Sequence, residues 1–333
     1  MKTLRTVKQK LPGIALAGII AIPAWLLGAA VPVIGSPVLG ILFGMILAFW
    51  KRPQAFDDGV KYTAKKLLQY SIILLGFGMN LYSVFRAGAQ TLVLMAFTLT
   101  AAFLAAYFFG RLLKIDGNTK TLIGVGTAIC GGSAIAATAP VIHADDEEVA
   151  HAISTIFLFN VAAAFLFPVL GHVLHMSDQH FGLWAGTAIN DTSSVVAAGY
   201  TFSAAAGDLA LIVKLTRTLM IIPVTLVLAI YHSKKATGDA KQSYSLKAIF
   251  PWFVLGFLLA SIISTFVPLP AAIYAGLTHA GKFMIVMAMV SIGLNTNIIK
   301  LLKHGGKPIL LGFLCWMALA VTSLAVQYAL LQV

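Results

Sequence analysis

Charge is what this chain has least of. Asp, Glu, Lys and Arg make up 10% of its 333 residues, against roughly 25% in an average soluble domain. So little polar material cannot cover a soluble protein of this size, which excludes an ordinary globular domain with water on all sides. Acidic residues are scarcer still, 11 against 23 basic ones, for a net charge of +12. Cysteine is nearly absent. Cys130 and Cys315 lie in apolar stretches with no CxxC or other ligand spacing, which excludes a disulfide framework and a zinc site. His172 and His175 are three apart, but nothing supplies further ligands, so no metal site is expected. There is no nucleotide-binding motif, and no cofactor is implied. Paired carboxylates, HExxH and Ser–His or Ser–Lys dyads are missing too, so the chain reads as a non-enzyme. An intramembrane enzyme or a sensor component remains the rival from another class.

What is present is apolar: 59% of the residues are hydrophobic. In lipid every backbone polar group must pair internally, which leaves helices or closed barrels. Barrel strands alternate in hydrophobicity over about ten residues. Here the apolar runs are continuous and about twenty residues long, the length of a membrane helix. Eleven can be marked: 11–31, 34–50, 67–85, 90–110, 121–142, 149–172, 181–204, 208–231, 248–267, 277–299 and 308–331. The expectation is an all-α integral membrane protein of about eleven transmembrane helices. It forms one polytopic domain over 1–333 with no soluble domain. The basic start, Met1 to Lys10, reads as the flank of an uncleaved first span.

The basic residues test this topology. With the N-terminus cytoplasmic, the inside segments are the tail, 51–66, 111–120, 173–180, 232–247 and 300–307, and they hold nineteen of the 23 Lys and Arg residues. The exceptions are Arg86, Lys214, Arg217 and Lys282. The acidic run Asp145-Asp146-Glu147-Glu148 falls outside. This is the positive-inside pattern of an inner-membrane protein, and it accounts for the basic balance without nucleic acid. The segment 51–66 mixes Phe56, Val60 and Tyr62 with charges, as an amphipathic surface helix does.

Two internal similarities suggest repeats. At an offset of sixty, Gly126, Thr127, Ala128, Ile129, Ser133 and Ala137 match Gly186, Thr187, Ala188, Ile189, Ser193 and Ala197. More weakly, Gly78-Met-Asn80 resembles Gly293-Leu-Asn295. Inverted repeats with broken helices occur in many secondary transporters, and the halves here would be 11–142 and 181–331.

The polar residues inside spans are the site candidates. Thr127, Cys130, Gly131, Gly132 and Ser133 form a small, polar stretch where the glycines weaken a helix. A broken helix offers backbone N–H groups and a dipole to an anion; close helix packing is the other reading. Asn190-Asp191-Thr192-Ser193-Ser194 is costly in lipid, and Asp191 is the costliest. Lys214 and Arg217 share a helix face; they could neutralise an anion, pair with Asp191, or snorkel. Asn80, Asn295 and Asn297 either line a cavity or cap helices.

The stretch Gly126 to Ile142, followed by Ala144-Asp-Asp-Glu-Glu148, resembles the signature of the bacterial sulfate exporter family of YeiH-type inner-membrane proteins. Phe181 to Gly186, Val213-Lys-Leu-Thr-Arg217 and Ile292 to Asn297 are similar to its later motifs. Many members carry His-Glu where this chain has Asn190-Asp191, so any role of that His is lost here. More distantly, the resemblance implies two inverted repeats with crossed broken helices, as in bile acid:sodium symporter and cation:proton antiporter folds.

The expected function is a secondary transporter for a small oxyanion such as sulfate or a sulfonate. Asp191, with Asn80 and Asn295, would serve ion coupling to H⁺ or Na⁺. The competing expectation is a cation:proton antiporter with Asp191 as the ion site. The partners are the bilayer and a small solute or ion, and a homodimer is an assembly open to such a protein.

Overall fold

Apolar runs of this length can close their hydrogen bonds only within themselves, and every described element is helical. The computed structural model describes residues 2–30, 35–50, 52–235, 250–296 and 306–330. Lys51, Lys241, Lys247, Asn297, Lys300 and Lys303 lie outside the described residues. Six described helices are long and apolar enough to cross a membrane: Gln9–Ala30, Leu81–Leu112, Asp146–Val173, Ala204–Leu228, Ala271–Asn295 and Gly306–Ala329. Large apolar side chains such as Leu26, Phe108, Val227 and Tyr328 are exposed along them, which suits a lipid solvent.

The chain divides into two compact units built from interleaved segments. The first unit is Met1–Arg86, Val196–Asp208 and Trp252–Asn297; the second is Ala87–Val195, Leu209–Pro251 and Ile298–Val333.

The first unit holds α1 (Lys2–Ala30), α2 (Ser36–Leu47), α3 (Asp57–Tyr62) and α4 (Leu68–Gly76). A π-helical turn, Thr63–Leu67, joins α3 to α4. The sequence reading of 67–85 as one span is not kept: α4 ends at Gly76, and Phe77–Asn80 forms a turn before the next helix. The amphipathic segment does not lie free on a surface either. A Cβ on Gly13 would overlap the Phe56 carbonyl and Gly59, so α3 packs against α1, and Val60 is buried in that contact. Small residues permit this closeness between apolar helices. The same device recurs where Gly44 of α2 meets Gly293 at backbone distance.

The second unit carries most of α5 (Leu81–Leu112), then α6 (Gly117–Ala128), α7 (Gly132–Thr138), α8 (Asp146–Val173) and α9 (Asp178–Ala188). The chain continues through α10 (Thr192–Phe202), α11 (Ala204–Thr218) and α12 (Ile221–Lys235). After α13 (Trp252–Phe266) and α14 (Ala271–Asn295) of the first unit, it ends in α15 (Gly306–Leu330). The acidic run that begins α8 is a capping box: Asp145 and Glu148 accept each other's backbone N–H at 2.8 Å. Acidic side chains suit that positive helix end.

One sequence expectation is corrected here. Segment 121–142 was expected to cross the membrane, with 111–120 and 143–148 on opposite sides. Instead, the Asn118 amide at the start of α6 donates to Glu148 Oε2 at the start of α8, at 3.0 Å. A hydrocarbon core about 30 Å thick cannot separate two residues in hydrogen-bond contact. The chain folds back at Ile129–Gly131, and Ile135 of α7 lies against Gly126 of α6 and beside Ile156 of α8. Leu122, Ile135 and Ile142 share one apolar cluster with Ala152. α6 and α7 therefore form a hairpin that folds back on itself.

Candidate functional site

The second unit contains two helix breaks that fall sixty residues apart. α6 ends at Ala128 and α7 starts at Gly132; α9 ends at Ala188 and α10 starts at Thr192. These are the positions matched by the internal sequence similarity. α8 aligns both breaks: the Asn160 side-chain oxygen accepts the Asp191 N–H at 3.1 Å, and Gly131 faces the Asn160 amide and the Asp191 Cβ. Gly131 has φ +68°, a conformation glycine adopts without steric cost.

Breaking a helix leaves carbonyls without partners and concentrates negative dipole at the C-terminal end. Here two such ends meet, and α11 supplies the cations between them. Lys214 Nζ donates to the Ile129 carbonyl at 2.7 Å and to the Ile189 carbonyl at 3.0 Å. Arg217 Nε donates to the Ala128 carbonyl at 2.6 Å, and its Nη atoms donate to the Thr187 and Thr127 carbonyls. Both side chains are 0% exposed. An unpaired buried cation would cost several kcal/mol; here its donors and the orphaned carbonyls satisfy one another. This sharpens the sequence reading. The two cations bridge the two breaks, and neither forms a salt bridge with Asp191, since the described salt bridges are Arg52–Asp57 and His151–Glu147.

The N-terminal sides of the breaks are the open ones. Asp191 starts α10, and its Oδ2 accepts from the Ser193 N–H at 3.0 Å and from the Ser193 hydroxyl. Thr192, Ser193 and Ser194 are buried, whereas Asp191 is partly exposed and Ser133 is exposed. A Cβ on Gly132 would meet nothing within 4 Å, so open space adjoins that tip. Asn190 is buried with neither side-chain atom hydrogen-bonded, and the Thr127 hydroxyl is likewise unpaired. Buried polar atoms without partners are costly, so a solute or water that reaches them gains their hydrogen bonds. Cys130 is buried beside this group.

Two expected ion-coupling residues stand at helix ends. Asn80 and Asn295 belong to the first unit and terminate helices. Asn80 Oδ1 accepts the Tyr82 N–H at 2.9 Å as α5 begins. Asn295, the last residue of α14, accepts from Arg52 Nη2 at 2.7 Å, while Arg52 Nη1 caps the Leu294 carbonyl at 3.0 Å. Sequence reasoning missed Asn160; an Asn in the middle of an apolar span was the available signal.

Residues 12–312 match the family model described as Conserved hypothetical protein 698. The chain belongs to that family. It is 50% identical over 328 residues to a UPF0324 membrane protein of Streptococcus agalactiae serotype V, covering 96% of this chain and 97% of the relative. It is 47% identical over 340 residues to a UPF0324 membrane protein of Fusobacterium nucleatum, covering 96% and 98%. The names of these family members and the apolar helices agree on a multi-pass membrane protein.

Proposed function

We propose that the chain is a secondary transporter rather than an enzyme, and that it carries a small oxyanion such as sulfate or a sulfonate by alternating access. The observation that carries this reading is the pair of helix breaks. Lys214 and Arg217 neutralise the C-terminal ends, which leaves Gly132 and Ser133 open at one N-terminal end and the partly exposed Asp191 capping the other. Backbone N–H groups and helix dipoles at such ends favour an anion.

The proposed topology has nine crossings and two re-entrant hairpins in place of eleven crossings. Leu183 and Leu209 pack with Val213, and Ile189 meets Lys214. The chain therefore leaves the second break at the level of Ile189 and returns at the level of Leu183. With the N-terminus cytoplasmic, the α6–α7 hairpin enters from the cytoplasm and α9–α10 enters from outside. The loop 173–180, which has no Lys or Arg, then falls outside, in better accord with the positive-inside pattern. Two similar hairpins of opposite entry make an inverted repeat.

Asp191 supplies the coupling. An anion about 4 Å from its ionised carboxylate would be repelled by about 4 kcal/mol at an effective dielectric of ~20. Protonation removes that repulsion, so anion and proton travel together. A Na⁺ site is less suited, because the carbonyls that would ligate it already accept from Lys214 and Arg217.

Proteoliposomes loaded with a panel of oxyanions test this. We expect flux that responds to a pH gradient, and Asp191→Asn should uncouple it from protons. Flux that follows Na⁺ and pH but ignores every oxyanion would overturn the reading in favour of cation:proton exchange.

A further inference from the structure

A further cation stands in a membrane-length helix of the first unit. Lys282 lies within α14, and it is one of the four basic residues outside the positive-inside pattern. A lysine within a span is costly unless it faces water or a partner. Among the described residues it forms no salt bridge. Its neighbour is the Tyr200 ring, with Nζ 5.4 Å from the centroid, and it lines a cavity of about 290 Å³.

The cavity has two chemical parts. Lys282 is the one charged residue among its described lining residues, and Thr201, another lining residue, has a buried hydroxyl without a hydrogen-bond partner. Trp25, Ile285 and Val286 line an apolar wall. Asp208 is not a lining residue; it lies within electrostatic reach of Lys282 without forming an ion pair, and its carboxylate accepts the Tyr200 hydroxyl at 2.6 Å. That bond holds the phenol on the carboxylate and leaves the tyrosine face to Lys282.

We propose that this cavity binds the anionic group of a small amphipathic molecule. Lys282 Nζ and the Thr201 hydroxyl donate to its oxygens, and the apolar body lies along Trp25 and Ile285. The volume suits a body the size of one aromatic ring. A free organic carboxylate or sulfonate and the phosphate head of an anionic lipid share this chemistry. The proposal concerns binding and does not rest on transport.

The test uses the full chain purified in neutral detergent, delipidated, with calorimetric titration of benzoate and benzenesulfonate. A second arm places it in phosphatidylcholine nanodiscs with and without phosphatidylglycerol. Lys282→Met should weaken binding by about tenfold or more, the loss of one charge-assisted hydrogen bond. Lys282→Arg should restore most of it, and Thr201→Val should cost less than Lys282→Met. The Lys282-dependent part of the binding should persist in Asp191→Asn, which separates this site from the hairpin tips. If phosphatidylglycerol alone competes for the Lys282-dependent site, the occupant is a lipid head and the proposal stands. If Lys282→Met, folded by its circular dichroism and melting, binds both probes and lipid as the parent does, or if the parent binds none of them, the proposal fails.

Discussion

The Asn118 amide and the Glu148 carboxylate are hydrogen-bonded at 3.0 Å, which sets the starts of α6 and α8 side by side. Residues 114 and 146 are therefore expected on one face of the membrane, and residue 178 on the other. Lys114→Cys, Asp146→Cys and Asp178→Cys can be labelled with a membrane-impermeant maleimide in oriented vesicles. The native Cys130 and Cys315 are buried and should give little background. Labelling of 114 and 146 from one side, with 178 from the other, is the expected result. If 146 labels with 178, the hairpin reading of 117–142 is wrong.

The helical class, the membrane setting and the break at Gly131-Gly132 were legible in the sequence, because composition and glycine report local requirements; the second break showed only as the polar run 190–194 and its similarity to the first. What the spans do after a break was not legible. Residues 121–142 are apolar throughout, and an apolar run reads the same whether it crosses or turns back. The partners of Lys214 and Arg217 were hidden for a related reason: backbone carbonyls have no sequence signature. Asn80 and Asn295 carry the residue type of a cavity liner, and the same amide chemistry serves helix ends. Lys282 was visible as a misplaced charge, but its cavity depends on Thr201 and Trp25, which are distant in sequence.

Lys214 and Arg217 act on the fold through the carbonyls they satisfy. Replacing either with Met leaves buried carbonyls without donors, at about 1–3 kcal/mol for each group left unpaired. Lys214→Met and Arg217→Met should therefore lower the melting temperature and the yield in detergent. Arg217→Lys should recover only part of the loss, because an ammonium cannot span Thr127, Ala128 and Thr187 as the guanidinium fork does. Asp191→Asn should melt close to the parent, since Asn is also a good N-cap. Melting of Lys214→Met and Arg217→Met at the temperature of the parent would show that the capping bonds contribute little.

Gly131 and Gly132 are adjacent and should respond in opposite ways. Gly131 sits at φ +68° and ψ −131°, where any side chain is strained by about 1–3 kcal/mol. Gly132 is the first residue of α7 and has open space beyond its Cα, so an added methyl costs nothing sterically and gains about 0.4–1 kcal/mol from the unfolded chain. Gly131→Ala should destabilise and Gly132→Ala should not, as read by thermal unfolding in detergent. The open space at Gly132 is also where a solute would approach. Gly132→Leu should therefore keep the fold and reduce flux, whereas unchanged flux would place the solute elsewhere.

Asp116 offers a pH-dependent contribution outside the spans. Burial, the largest single influence, would raise its carboxyl, but its hydrogen bonds, with the Thr119 backbone N–H at 2.7 Å foremost, together outweigh this and hold it below the ordinary carboxylate range. It is the N-cap of α6, at the mouth of the first hairpin. A carboxyl that is more acidic when folded stabilises fully above its unfolded value of about 3.9, and the contribution fades as the pH falls through the folded value. Asp116→Ala should cost about 0.5–2 kcal/mol at neutral pH, and less in acid. Asp116→Asn keeps the cap without a titrating group, so its stability should fall less between pH 6 and pH 3 than that of the parent. Melting curves of the three proteins across that interval decide it: parallel pH profiles for the parent and Asp116→Asn would mean that the carboxylate adds no pH-linked stability to the hairpin.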